Sequence, residues 1–149
     1  MSSEQKTAIV TGGGSGLGLA IAKAFTANNI KTIIIGRDEE KLKTAKAELG
    51  ENVFYKVCDL SDLSTIPALI ETILAEFGKI DILVNNAGIN QKKVFEEVTD
   101  EEFQRILTTN VTAVFSISRE VVKDMLKRKS GCIINISSMA AQYGLPKVI

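Results

Sequence analysis

A run of glycines near the amino terminus has a spacing suited to binding phosphate. Residues 11–18 read TGGGSGLG and stand between a short apolar run and a helical pattern. Glycine permits a positive φ and lets a ligand approach the backbone closely. A helix that begins at such a turn offers free N–H groups and the positive end of its dipole, which suit a pyrophosphate. A merely flexible turn is the alternative. The flanking strand and helix favour a dinucleotide site formed by Gly12, Gly14, Ser15, Gly16, Leu17 and Gly18.

The composition excludes several other kinds of chemistry. The 149-residue chain has no histidine, which removes the Ser-His-Asp and Cys-His triads and any histidine-ligated metal site. Its two cysteines, Cys58 and Cys132, are too few for a four-thiolate zinc site, so no metal is expected. Lys and Arg together number 18, as do Asp and Glu, and the net charge is zero. A nucleic-acid partner, which normally requires a basic excess, is therefore disfavoured.

Short apolar runs alternate with amphipathic segments, and these elements must position the glycine turn. The pattern predicts strands over residues 7–10, 32–35, 53–57, 80–84 and 132–136. Thr99 and Glu102 fit a capping box that opens one long helix running to about Lys129. The alternation predicts an α/β fold, a Rossmann-type doubly wound parallel sheet with strand order 3-2-1-4-5. We expect one dinucleotide-binding domain over residues 1–149.

Five motifs follow one another in register with these elements. They are residues 11–18, Asp59-Leu60 after the third strand, residues 85–88 (NNAG) after the fourth, Asn110 in the long helix, and Ser137-Ser138 after the fifth strand. In this order the sequence resembles the short-chain dehydrogenase/reductase family, whose glycine turn reads Thr-Gly-x-x-x-Gly-x-Gly. The family's later helix, two further strands and substrate loop have no counterpart here. The fold is therefore expected to be truncated relative to the family, and the domain incomplete at its carboxyl-terminal end.

The resemblance implies a nicotinamide-dependent oxidoreductase that moves a hydride between its cofactor and a carbonyl or alcohol substrate. Asp59 and Leu60 would hold the adenine, and Asn86, Ala87 and Gly88 would complete the cofactor site.

The same resemblance assigns two catalytic residues. Ser138 would give a hydrogen bond to the reacting oxygen, and Asn110 would hold a water of the proton relay. Taken alone, Ser138 is equally a loop hydroxyl that caps nearby backbone, and Asn110 a helix-interior side chain bonded to main chain.

Tyr143 and Lys147 have the family's Tyr-x-x-x-Lys spacing, yet we do not assign them as its catalytic pair. That pair needs a continuous helix, which Gly144 and Pro146 oppose, and Tyr143 follows Ser138 too closely. The family's position for the pair would fall beyond Ile149, so we expect this chain alone to be inactive.

The end of the second strand bears on the choice of cofactor. An acidic residue there binds the adenosine ribose of NAD, whereas an arginine accommodates the 2′-phosphate of NADP. Gly36 and Arg37 stand at this place, which favours NADP over NAD. The alternative is that Arg37 is a solvated charge and that Asp38 simply caps the next helix.

The remaining expectations concern partners, location and competing functions. The polar start and the lack of a long apolar run predict a cytoplasmic protein with no membrane partner. An apolar edge on the fifth strand, together with exposed Val114, Phe115, Val122 and Met125, predicts a homo-oligomer. A naturally short, non-catalytic dinucleotide-binding or interaction module is the alternative function. A methyltransferase is disfavoured by Gly36-Arg37 and by the NNAG segment.

Overall fold

A five-stranded parallel sheet forms the centre of the computed structural model, which describes residues 4–145. Its strands are Thr7–Thr11 (β1), Lys31–Gly36 (β2), Val53–Val57 (β3), Ile82–Asn85 (β4) and Cys132–Asn135 (β5). Their order is β3-β2-β1-β4-β5, and every neighbouring pair is parallel. The predicted Rossmann-type fold and strand order are confirmed.

Helices connect the strands and cover both faces of the sheet. They are Gly16–Ala27 (α1), Glu39–Leu49 (α2), Ile66–Phe77 (α3), Asp100–Leu107 (α4) and Ala113–Arg128 (α5). The predicted capping box is present at α4, where Thr99 accepts from the Glu102 N–H and the Glu102 carboxylate accepts from the Thr99 N–H. Short 3-10 turns occur at Leu63–Thr65, Phe95–Glu97 and Met139–Ala141.

The alternation of side chains along each strand divides the core into two layers. Ile9, Ile33 and Leu83 point to the face covered by α3 and α5. Val10 and Ile34 point to the opposite face, where α1 and α2 pack. All five side chains are fully buried. Because both faces are covered, the strands read as continuous apolar runs rather than as alternating ones.

The long helix predicted from Thr99 to about Lys129 is not a regular α-helix throughout. A π turn at Thr108–Thr112 separates α4 from α5. The fourth strand also begins later than predicted, at Ile82. The reason is that the Ile80 N–H is directed to the Asp124 carboxylate rather than to a neighbouring strand.

The expected exposure of Met125 is wrong. This side chain is 6% exposed and belongs to the core beside α3. The chain turns sharply after α5, so the Gly131 backbone packs on Met125, where a Cβ would lie 2.4 Å from the Met125 Cγ and Sδ. Phe115 is exposed as expected, while Val114 and Val122 are partly covered. In the described part of the chain β5 is an edge strand.

Arg128, in the last turn of α5, joins this helix to the start of the sheet. Its guanidinium donates from Nε to Asp124 Oδ2 at 2.9 Å, from Nη1 to Asp81 Oδ1 at 3.0 Å, and from Nη2 to the Ile80 carbonyl oxygen. The second oxygen of Asp81 accepts from the Thr7 N–H at 2.9 Å. The amino ends of β1 and β4 and the carboxyl end of α5 therefore share one partly buried charge network.

Candidate functional site

The carboxyl ends of β1 to β4 open onto one cleft beside the glycine turn. β1 lies between β2 and β4, where the order of the strands reverses, and ligands of open α/β sheets bind at such switch points. The cleft holds a cavity of about 290 Å³, called here the first cavity. The predicted cofactor-binding residues that line it are Gly12, Ser15, Arg37, Asp59, Leu60, Asn86, Ala87 and Gly88.

The other residues of the glycine turn are not part of this lining. Gly14 faces α2, where a Cβ would stand 3.4 Å from Leu42. Gly16 begins α1 with a φ of +54° and open space around its Cα, and Leu17 is 58% exposed. Gly18 is buried and packs against the backbone of the turn itself. Their predicted contacts with a cofactor stay predictions.

Two glycines permit close packing at the turn, Gly12 against the loop after β4 and Gly18 of α1 against Gly12. Gly12 has a φ of +66°, and a Cβ there would lie 3.0 Å from the Ala87 Cα. A Cβ on Gly18 would lie 2.3 Å from the Gly12 carbonyl oxygen. Ser15 is the N-cap of α1, and its side chain makes no capping hydrogen bond. The amino end of α1 consequently borders the first cavity, where its dipole favours an anion.

Thr11 and Asn86 hold the two loops of the first cavity together. The buried Thr11 Oγ1 donates to the Val84 carbonyl at 3.3 Å and accepts from the N–H groups of Asn86 and Ala87, both at 3.0 Å. Asn86 Nδ2 donates to the Thr11 carbonyl at 3.0 Å and to the Gly12 carbonyl at 3.4 Å. The Asn86 side chain therefore holds the backbone of the glycine turn in place. Thr11 is a positioning residue that the predicted site omitted, although it opens the glycine motif.

Arg37 and Asp59 face each other at the outer end of the first cavity. Arg37 Nη1 lies 4.0 Å from Asp59 Oδ2, with both side chains about half exposed or more. Hydrogen bonds from the Ser61 hydroxyl and N–H hold the pKa of Asp59 below its ordinary value; burial opposes this shift and the Arg37 charge adds to it. Asp38 is the N-cap of α2, because its carboxylate accepts from the Lys41 N–H at 3.1 Å.

Asn110 and Ser138 lie on a second cavity of about 1080 Å³, which shares residues 86–89 with the first. Asn110 sits in the π turn and bonds the backbone of Ile89 in both directions. Its Nδ2 donates to the Ile89 carbonyl at 2.7 Å, and its Oδ1 accepts from the Ile89 N–H at 2.9 Å. The Asn110 side chain therefore fixes the loop that forms the wall between the two cavities.

Ser138 is exposed at the rim of the second cavity and caps the 3-10 turn that follows β5. Its Oγ accepts from the Ala140 N–H at 3.1 Å, which is the local capping role that the residue type alone suggested. A hydroxyl that accepts in this way keeps its own proton free to donate. The capping bond and a hydrogen bond to a ligand oxygen are thus compatible.

Tyr143 is the second residue after the end of that 3-10 turn and is 63% exposed. Residues 142–145 are not helical. Lys147, its partner in the Tyr-x-x-x-Lys spacing, lies outside the described residues. That the two do not form a catalytic pair stays a prediction.

A hydrogen-bonded amide cluster at the wall of the second cavity was not expected from the sequence. Asn85, at the end of β4, is 3% exposed and donates from Nδ2 to Ser118 Oγ at 3.0 Å and to Asn135 Oδ1 at 2.8 Å. Within residues 4–145, Asn85 Oδ1 is buried with no hydrogen-bond partner. The signal in the sequence is the pair of polar residues, Asn85 and Asn135, that end two otherwise apolar strands.

Two kinds of site are absent from the described part of the chain. No group of three or more His, Cys, Asp or Glu side chains there is placed to hold a metal ion. None of its helices is long and apolar enough to cross a membrane.

The model of the short chain dehydrogenase family matches residues 6–149. The chain belongs to this family. Family members are oxidoreductases, and the glycine turn, the NNAG loop and the parallel sheet of this chain all lie within the matched residues.

Individual relatives agree with this membership. A 3alpha-hydroxysteroid dehydrogenase of Mediterraneibacter gnavus is 40% identical over 148 residues, an alignment that covers 96% of this chain and 59% of the relative. The structure of an actinorhodin polyketide ketoreductase variant with NADPH matches with a TM-score of 0.91 and 34% identity, covering 96% of this chain and 57% of that one. An NAD⁺-bound xylitol dehydrogenase matches with a TM-score of 0.90 and 31% identity, covering 95% and 56%. The chain thus spans somewhat over half the length of these proteins.

Replacing Asn110 with alanine is expected to lower the free energy of unfolding by about 1.5 kcal/mol. The reason is that the partly buried N–H and carbonyl of Ile89 both lose their partner. Urea unfolding followed by circular dichroism measures the change. The exposed Asn90 is the matched control, and Asn90→Ala should unfold like the wild type. Equal unfolding free energies for the two variants would contradict the positioning role of Asn110.

Proposed function

We propose that the first cavity binds the adenosine half of a nicotinamide dinucleotide, with NADP preferred over NAD. The observation that carries this proposal is the combination of a close-packed glycine turn at the sheet's switch point with Arg37, rather than an acid, at the end of β2. The relatives support a nicotinamide cofactor, since one is a complex with NADPH and another with NAD⁺. Asp59 and Leu60 would contact the adenine, and the amino end of α1 the pyrophosphate.

The proposed reaction is hydride transfer between the nicotinamide and a carbonyl or alcohol group. In it the nicotinamide supplies or accepts the hydride. Ser138, with its proton free to donate, would hydrogen-bond the reacting oxygen in the second cavity. Asn110 would support the proton relay by fixing the Ile89 loop. The relatives act on a steroid, a polyketide and xylitol by name, which fits a small-molecule carbonyl or alcohol substrate.

A dinucleotide-binding module without catalysis remains the second candidate for this 149-residue chain. The exposed, non-helical setting of Tyr143 favours it, because no tyrosine within residues 4–145 stands beside Ser138 on a helix. An NADPH-consumption assay with simple ketones separates the two candidates. Binding without turnover supports the module, and turnover supports the enzyme.

A homo-oligomer and a cytoplasmic location stay predictions. The exposed Val111 and Phe115 of the helical segment offer an apolar surface for association.

Replacing Arg37 with alanine should raise the dissociation constant for NADP about tenfold, or ~1.4 kcal/mol, and leave that for NAD unchanged. The guanidinium offers a charge-assisted contact to the 2′-phosphate, and NAD has no such group. Calorimetric titration of both cofactors against both proteins measures the effect.

The control is Lys41→Ala, which removes a nearby exposed cation that does not line the first cavity. It should alter neither affinity by more than a small factor. An NADP affinity that Arg37→Ala leaves unchanged would overturn the assigned preference. If the wild type binds neither cofactor, the proposed function itself fails.

A further inference from the structure

Arg37 does not reach the first cavity as an isolated charge. It follows β2 directly, and Asp59 comes two residues after the end of the neighbouring β3. The register pairs Gly36 with Val57, and the Cys58 N–H donates to the Gly36 carbonyl at 2.9 Å. This bond ties the two strand ends together. The backbone therefore holds Arg37 and Asp59 opposite one another, with Arg37 Nη1 4.0 Å from Asp59 Oδ2.

The two oxygens of the Asp59 carboxylate have different partners. Its Oδ1 accepts from the Ser61 N–H at 2.9 Å and from the Ser61 hydroxyl at 2.7 Å. These bonds fix the orientation of the carboxylate and leave Oδ2 to face Arg37. They also lower the pKa of Asp59, so the group is ionised at neutral pH. Arg37 consequently meets a fixed anion before any ligand arrives.

We propose that Asp59 is a specificity-determining residue that competes with the ligand's 2′-phosphate for Arg37 and so weakens the preference for NADP. The inference rests on the proposed nucleotide-binding function of the first cavity. A nucleotide without a 2′-phosphate leaves the Arg37–Asp59 pair intact. A nucleotide with one must draw Arg37 away from Asp59 and approach the carboxylate's negative charge. The chain is thus built for a moderate preference, not for exclusive use of NADP.

The expected change in nucleotide affinity follows from the solvent exposure of the Arg37 and Asp59 side chains. Ion pairs between exposed side chains contribute little, and their loss corresponds to about a two- to fivefold change in an equilibrium constant. The Arg37 and Asp59 side chains are 65% and 49% exposed, which places them in this class. Removing the Asp59 charge should therefore strengthen binding of a 2′-phosphorylated nucleotide by about two- to fivefold.

The test uses 2′,5′-ADP and 5′-AMP, which differ only in the 2′-phosphate and need no nicotinamide site. Both are titrated calorimetrically against the 149-residue wild type and Asp59→Asn at low ionic strength. Asparagine keeps an oxygen for the Ser61 bonds, and any contact with the adenine is common to both ligands. The ratio of the two dissociation constants is expected to shift two- to fivefold in favour of 2′,5′-ADP.

Asp62 supplies a matched control. Its Oδ1 accepts from the Ser64 N–H at 3.2 Å and from the Ser64 hydroxyl, as Asp59 does with Ser61, but it does not line the first cavity. Asp62→Asn removes the same charge and should leave the ratio unchanged. In an Arg37→Ala background, Asp59→Asn should shift the ratio less than it does alone. The reason is that Asp59 and the 2′-phosphate then have no guanidinium for which to compete.

Two results would overturn the inference while the proposed function stands. One is an equal change of both affinities in Asp59→Asn. The other is a selective loss of 2′,5′-ADP binding, which would mean that Asp59 supports Arg37 rather than competing for it. If the wild type binds neither nucleotide, the proposed function fails and the inference with it.

Discussion

Gly18→Ala is expected to lower the free energy of unfolding by about 3 kcal/mol and to abolish nucleotide binding at concentrations that saturate the wild type. The new Cβ would lie 2.3 Å from the Gly12 carbonyl oxygen and 2.6 Å from Asn86 Nδ2. The first of these atoms belongs to the backbone and the second is held by Thr11, so neither can move freely. Relief therefore requires α1 to shift away from the turn, which would widen the site of the phosphates.

Gly14→Ala is the matched control for folding. Its Cβ would meet Leu42 and Lys41 at 3.4 Å, an ordinary contact distance. Urea unfolding and titration with NADP, performed on both variants, separate the effects. A Gly18→Ala protein as stable as Gly14→Ala would show that the turn accommodates a methyl group and that the close packing is not required.

Arg128→Ala should lower the free energy of unfolding by about 3 kcal/mol, because Asp124 loses its cation and Asp81 keeps only Lys79, whose Nζ lies 3.5 Å from Asp81 Oδ2. The side chains of Asp81 and Asp124 are only 12% and 16% exposed. Asp81 also bonds the Thr7 N–H, so the start of β1 is expected to loosen together with the end of α5.

Urea unfolding measures the loss, and hydrogen exchange at residues 7–11 and 82–85 locates it. Lys127→Ala removes a positive charge from the same turn of α5 at an exposed site and should change stability little. If both variants unfold alike, the Arg128 network does not hold the helix to the sheet.

The elements whose signals are local could be predicted from the sequence. The glycine turn, the apolar runs and the capping box at Thr99 each involve residues within a few positions of one another. All three are present, although the fourth strand begins at Ile82 rather than at residue 80. The strand order could be predicted as well, because parallel strands joined by helices permit few topologies.

The features that were missed depend on contacts between distant parts of the chain. The π turn cannot be read from residues 108–112 alone, since Asn110 in that turn bonds to Ile89. The burial of Met125 depends on how the chain turns at Gly131. The Arg37–Asp59 pair depends on the register between β2 and β3. Periodicity reports which face of an element is apolar, but it carries no information about such partners.

The π turn fixes the angular phase between the two helical segments. An α-helix advances by about 100° per residue, and a π turn holds one residue more than an α turn. In an uninterrupted α-helix Ile106, Ala113 and Ile117 would share one face. Here Ala113 and Ile117 join the sheet core while Ile106 is buried outside it. If residues 108–112 became α-helical with every residue retained, α4 would rotate by roughly 100° against α5. A one-residue deletion there would instead leave a regular helix with the present phase, so the extra residue and the π geometry compensate each other.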